Sequence, residues 1–244
     1  GSMKLSIRET ADLLNVSLQT LRRWDNDKTL RSGRLNDSAH RSYEENEIED
    51  FLSCHFKYLL DLGQRWAMSE QGFSLPAGLY CADRSVFKAR LSRLEALLMQ
   101  RSAAGSRYSL VTSIVGEIGN NSFDHNLGNW PDMPGTFFGY ALNAQKIVLA
   151  DRGQGILTTL KRVRPDLGND RDALKTAFTE QVSGRAPEAR GNGLKYVRGV
   201  VGGSGMNLLF RSGRATLSVS GRAGALNIAE TADILRGCLA VIEY

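Results

Sequence analysis

The chain has 244 residues, of which 42% are hydrophobic and 23% charged, enough apolar material for a core and a length suited to one large domain or two smaller ones. It contains no run of about 18 apolar residues, which excludes a membrane-spanning helix, and its three widely spaced cysteines, Cys54, Cys81 and Cys238, give neither a disulfide framework nor a zinc site. A net charge of +5 permits an anionic partner without identifying one, and with Gly1-Ser2-Met3 read as a tag remnant rather than a signal peptide, a cytoplasmic protein with no membrane partner is expected.

The first segment, SIRETADLLNVSLQTLRRWDNDKTL, predicts two short amphipathic helices, Ile7–Leu14 and Ser17–Asp25, separated by Asn15-Val16. Ser17 is placed to cap the second helix. Leu18, Leu21 and Trp24 fall on its inner face, while Gln19, Thr20, Arg22 and Arg23 fall on its outer face, where such groups suit phosphates and base edges. The polar, basic stretch RSGRLNDSAHRSY (Arg31–Tyr43) reads as a small β-wing, and EENEIEDFL opens another helix. Thr20–Trp24 followed by a wing ending His40-Arg41-Ser42-Tyr43 resembles the winged helix-turn-helix of the MerR, excisionase and transposon-resolvase group. That resemblance covers residues 1–53 and implies binding to duplex DNA through Ser17, Gln19, Thr20, Arg22, Arg23, Arg41 and Tyr43.

A helical stretch and the turn-rich SEQGFSLPAG follow, so residues 54–78 are expected to be a helical linker and residues 79–244 a second domain. Within the latter, SVFKARLSRLEALLMQ and SRYSLVTSIVGEIGNNSFDHN have helical spacing, GTFFGYALNA and QKIVLADRGQGI read as strands, and RGNGLKYVRGVV is a glycine turn feeding a helix. NLLFRSGRATLSVSG reads as a hairpin and CLAVIEY as a closing strand. Helices followed by mostly antiparallel strands predict an α+β architecture, a two-layer α/β sandwich behind the winged domain.

Glu117, Asn121 and His125 are spaced i, i+4, i+8 on one helix face. A carboxylate placed four residues before a carboxamide can serve as a general base beside a water while the amide oxygen helps to hold hydrated Mg²⁺, although the same spacing is common on solvated faces. His125 is read either as a further member of this stripe or as a capping or packing histidine. The apolar run Lys146–Ala150 ends in Asp151-x-Gly153-x-Gly155, where the backbone bends and can approach a ligand closely. In Arg190-Gly191-Asn192-Gly193-Leu194, backbone N–H groups ahead of a helix can receive phosphate, with Arg190 and Lys195 nearby.

Taken in order, the Glu-x-x-x-Asn helix, the Asp-x-Gly-x-Gly turn and the Gly-x-Gly-Leu turn resemble the three nucleotide-binding boxes of the GHKL superfamily of gyrase B, heat-shock chaperone, histidine kinase and MutL. The likeness covers Leu79–Tyr244 and implies the Bergerat, or histidine kinase-like ATPase, fold with ATP between sheet and helices. It implies that Asp151 accepts a hydrogen bond from the adenine amino group and that Gly153 and Gly155 let the base lie against the backbone. Asn121 would hold Mg²⁺, Glu117 would activate water, and Arg190, Gly191, Gly193, Leu194 and Lys195 would surround the phosphates, with Gly155–Arg190 as a lid. Two departures stand out: the Gly191–Leu194 turn is shorter than the fuller Gly-x-Gly-x-Gly form, and Gly237-Cys238 stands where related anti-sigma kinases carry Gly-Thr.

These readings lead to an expected ATP-binding, slowly hydrolysing DNA-binding regulator, a homodimer whose nucleotide state controls its contacts. An anti-sigma-type Ser/Thr kinase acting on a protein partner and a non-hydrolysing ATP sensor or scaffold are the alternatives. A histidine kinase is disfavoured because the surroundings of His55 lack the acidic and proline context of a phospho-acceptor helix.

Overall fold

The computed structural model describes residues 3–34, 40–101, 105–180, 192–221 and 224–244. It is a mixed α/β protein with an N-terminal helix-turn-helix region and a β-sheet domain. Ser6 starts helix α1 (Ile7–Leu14) with a capping box, its hydroxyl accepting from the Glu9 N–H at 3.2 Å while the Glu9 carboxylate accepts from the Ser6 N–H at 2.7 Å. Asn15 ends the helix in the left-handed conformation, φ 54°, which asparagine tolerates better than most residues. Ser17 then caps α2 (Leu18–Asn26) by accepting from the Thr20 N–H at 3.0 Å. Leu21 and Trp24 are buried beneath it. Strand β1 (Lys4–Ser6) pairs antiparallel with β2 (Ser42–Glu44), and a Gly33–Ser42 bridge opens the wing. Helices α3 (Glu45–Cys54) and α4 (Phe56–Met68) follow, joined at His55, whose Nδ1 is 2.7 Å from the Phe51 carbonyl oxygen.

The sheet has the order β3 (Tyr80–Cys81), β4 (Thr136–Ala141), β5 (Lys146–Asp151), β7 (Ala225–Glu243), β6 (Asn207–Ser220), with every neighbouring pair antiparallel. Helices α5 (Arg84–Met99), α6 (Tyr108–Asn126), α8 (Asp170–Thr179) and α9 (Gly193–Ser204) cover one face, and the short α7 (Ile156–Leu160) follows the end of β5. The other face is not open to solvent. Strand side chains alternate between two cores: Phe138, Ile147 and Leu149 join the helices, whereas Phe137, Val148 and Ala150 meet Leu59, Leu62 and Trp66 of α4 and the core of the helix-turn-helix. This two-sided burial explains why the strands read as near-continuous apolar runs. Residues 79–244 thus form sheet and helices in two layers, and α4 with the helix-turn-helix adds a third on the sheet's other face.

The stretch 54–78, read as a helical linker, holds the helix α4, and Leu59, Leu62 and Trp66 on it are at most 1% exposed, so it packs on the sheet; the strand reading of the C-terminal region changes more. NLLFRSGRATLSVSG is one continuous strand rather than a hairpin, its partner being Ala225–Glu243, with a register shift at Ser212–Ala215 where Gly213 takes φ 59°. The Asp170 side chain occupies the space that a side chain at Gly213 would need, and its carboxylate accepts from the Arg214 N–H at 2.9 Å. A glycine that suggests a hairpin turn thus marks a β-bulge.

Candidate functional site

A pocket lies where the end of β5 meets α6 and α9. Its lining includes Ile118, Asn121, Ser122, His125 and Asn126 from α6, Asp151, Gly155, Ile156 and Thr159 from the turn and α7, and Leu194, Phe210 and Cys238 opposite. Asp151 is 2% exposed. Its carboxylate accepts from the Ser122 hydroxyl at 2.7 Å, from the Gly153 N–H at 2.9 Å and from the Cys238 N–H. Burial raises the Asp151 pKa above the usual carboxylate range, and these three donors oppose the rise. A carboxylate offers about four lone-pair sites, one more than these donors fill. The neighbouring Cys238 thiol is pushed well up, first by burial and then by the Asp151 charge.

The turn after Asp151 needs its glycines for specific reasons. A side chain at Gly153 would fall on Asn126, whose amide oxygen accepts from the Gln154 N–H at 2.8 Å. Gly155 has φ 81°, and a Cβ there would lie 2.9 Å from the Arg236 carbonyl oxygen. Across the pocket, Gly193 faces two predicted residues: its Cβ position would be 2.7 Å from Glu117 Oε2 and 3.3 Å from Asn121 Nδ2. Asn121, Asp151, Gly155 and Leu194 thus line the pocket, Gly193 stands beside Glu117 and Asn121, and Gly153 packs on Asn126, while Lys195 is exposed on the first turn of α9. Arg190 and Gly191 lie outside the described residues. Among the described residues no three of His, Cys, Asp and Glu are grouped to hold a metal by themselves.

Reading by periodicity missed Ser122 and Asn126. They belong to the adjacent helix stripe and are 8% and 3% exposed, and their small polar side chains carry no periodic signal of their own. It also missed Arg152, the next residue after Asp151, which points to the opposite side of the sheet with its side chain 1% exposed. Arg152 pairs with Asp132 at 2.6 Å, donates to the Trp66 carbonyl, and reaches Ser69 Oγ at 2.9 Å. Burial alone would raise the Asp132 pKa, but hydrogen bonds from Arg152 and the Met133 N–H, with the charges of Arg152 and Arg236, hold it below the ordinary range.

On the helix-turn-helix, Gln19, Arg22 and Arg23 are exposed along α2, and Thr20 is half-buried. Ser17 is engaged as the helix cap, with its hydroxyl also 3.0 Å from Thr20 Oγ1. Arg41 is an organising residue: its Nε bonds Asp25 at 2.9 Å, and Asp25 also accepts from the Ser32 N–H at 2.9 Å and its hydroxyl at 2.7 Å. One carboxylate on α2 therefore holds both arms of the wing. The DNA role expected for Tyr43 is corrected, because its side chain is 0% exposed and packs in the core shared with Leu21 and Ile48.

Residues 5–68 match the family model of MerR helix-turn-helix regulatory proteins, and this segment is a MerR-family helix-turn-helix. Over 55 residues, 22% of its length, the chain is 36% identical to the type II methyltransferase M.Eco47II of Escherichia coli, spanning 13% of that protein. It is also similar to a MerR-family transcriptional regulator from Bacillus cereus of known crystal structure, with 16% identity over 51% of this chain and 84% of that one, at a TM-score of 0.21. No helix among the described residues is long and apolar enough to cross a membrane.

Proposed function

We propose that the protein is a DNA-binding transcription regulator whose DNA contact is controlled by ATP held in the pocket at the end of β5, a GHKL-type nucleotide site of Bergerat form. The MerR-family segment and the exposed Arg22 and Arg23 on α2 support the DNA half. The nucleotide half is carried by one observation: Asp151, a buried carboxylate with an acceptor site to spare, sits between apolar walls from Ile118, Ile156, Leu194 and Phe210. This is the chemistry that recognises an exocyclic amino group on a flat base. The residues also fit Mg²⁺, because that ion needs only one or two protein oxygens when phosphates and water complete its shell. Asn121 would hold it, and it would neutralise phosphate charge. Glu117, beside Gly193, would act as general base for slow hydrolysis. Two copies bound to adjacent half-sites would complete the regulator.

Calorimetric titration with ATP and Mg²⁺, and with a non-hydrolysable analogue, tests the pocket. Wild type is expected to bind both, and Asp151→Ala to lose about tenfold or more, the cost of a hydrogen bond to a charged group. No binding by wild type would remove the nucleotide half. For the DNA half, binding to duplexes selected from a random pool is followed against salt, where Arg22→Ala and Arg23→Ala should each flatten the log–log slope by about 0.9 per lost phosphate contact. An unchanged slope in the double variant would refute contact through α2.

A further inference from the structure

We infer that a clamp of two arginines on one carboxylate, Arg152 and Arg236 on Asp132, carries the state of the pocket to the helix-turn-helix. The inference rests on the nucleotide reading above for its ligand and on the structure for its route. Asp151 and Arg152 are consecutive at the end of β5, so the strand's alternation sends one into the pocket and the other to the far side of the sheet. The opposite wall repeats the device. Cys238 lines the pocket and Gly237 lies so close to Asp151 that a side chain would overlap the Asp151 backbone. Immediately before them the register shift, in which Ser212 pairs with Cys238 and Gly213 with Leu235, turns Arg236 toward Asp132 at 3.1 Å.

Both arginines also hold the end of α4. Arg152 donates to the Trp66 carbonyl and to Ser69 Oγ, and Arg236 reaches the Glu70 carbonyl at 3.3 Å. One residue before Trp66, Arg65 crosses to α1 and donates to the Leu13 carbonyl at 2.6 Å and the Asp12 carbonyl at 3.4 Å. Those carbonyls belong to the last turn of α1, directly ahead of the Asn15-Val16 turn that sets the angle of α2. Asp132 is itself tied to the pocket, since it lies in the loop after α6 that receives Gln154 at the Asn129 carbonyl, 3.1 Å. The route is contiguous: pocket wall, arginine clamp, end of α4, end of α1, α2. A ligand that displaces either wall by a few tenths of an ångström must move a clamp that has no slack, because Arg152 is buried and fully bonded.

The test uses the full chain and Arg236→Ala, since the Arg236 side chain is 41% exposed and its removal leaves Arg152 paired. DNA affinity is measured by fluorescence anisotropy with and without ATP and Mg²⁺, and ATP affinity by calorimetry. Wild type is expected to show a change in DNA affinity of about fivefold or more on adding ATP. In Arg236→Ala, ATP affinity and DNA affinity without ATP should stay at wild-type values while that ratio falls toward one. A wild-type ratio in the variant overturns the clamp, and so does wild-type protein that binds both ligands without linkage. A second measurement is independent of nucleotide. Ser122→Ala, which removes a donor from Asp151, is expected to speed amide exchange at Trp66–Ser69 and at Asn15-Val16 by about twofold or more, and Arg236→Ala should abolish that difference. Unchanged exchange at both places overturns the clamp even where ATP binds normally, whereas transmission seen in a protein that fails to bind ATP would leave the clamp standing and refute only the nucleotide reading.

Discussion

Asp151 shows how one side chain can be specified by its surroundings rather than by its own type. Its folded pKa is raised by burial above the ordinary value of 3.8. A carboxyl group raised in this way contributes its full share of stability below the unfolded value, and that share is lost as pH rises through the folded value. Comparison with Asp151→Asn, which cannot ionise, should therefore show wild type losing ground to the variant as pH rises above the ordinary aspartate value, in urea denaturation at each pH. A constant difference would mean that the three donors fully offset burial. The place of Asp151 at a pocket wall is legible in the sequence because an apolar run that ends in an aspartate and two glycines marks a strand end where the backbone bends. Arg152, next to it, is not legible: its partner Asp132 is remote in sequence, and nothing local distinguishes a buried arginine from a solvated one. Tyr43 is ambiguous in the sequence for a related reason. A phenol carries both an apolar ring and a polar tip, and only the packing shows that the ring decides its place.

Local chemistry makes the helices of the winged region readable without any tertiary contact. Ser6 with Glu9, Asn15, and Ser17 with Thr20 set the boundaries of α1 and α2 by hydrogen bonds spanning three or four residues. Ser6→Ala should accordingly cost about 1 kcal/mol of stability in urea denaturation, with little change in the cooperativity of the transition. The strand element behaves differently. RSGR in β6 offers the same glycine that a turn would use, and the choice between turn and bulge is made by Asp170, more than 40 residues earlier, filling the space beside Gly213. Gly213→Ala must contend with both the positive φ and the Asp170 carboxylate, and a loss of about 1–3 kcal/mol is expected. If Gly213→Ala were neutral, the bulge would not require its left-handed conformation. The helix α4 was visible as an amphipathic segment, but its flanking Gly, Ser and Pro residues suggested a connector, and its destination on the far face of the sheet is a non-local fact.

At the scale of the molecule, two hydrophobic cores share one sheet, so the helix-turn-helix segment and the pocket do not fold as beads on a string. Trp66 stands at the junction, 0% exposed, with its ring near Tyr80 and Phe137 of the sheet and its carbonyl held by Arg152. Trp66→Ala should cost about 3–5 kcal/mol. It should weaken DNA binding and nucleotide binding together, and wild type should unfold in a single calorimetric transition. Two separated transitions would contradict the shared core. The overall three-layer arrangement lay beyond the sequence because each layer is locally consistent on its own, and only the alternating assignment of neighbours such as Phe137 and Phe138 to different cores requires both faces to be covered.

The shared face also sets rules for anyone re-engineering the protein. The outward residues Gln19, Arg22 and Arg23 can be exchanged without disturbing the sheet, since they make no part of either core. Replacing the whole helix-turn-helix as a cassette is another matter. A graft cut before α4 would strip Leu59, Leu62 and Trp66 from Phe137, Val148 and Leu239, leaving the strands with an apolar side facing water. Interchangeable helix-turn-helix segments for this scaffold must therefore bring the α4 surface with them, and the usable seam lies after residue 68.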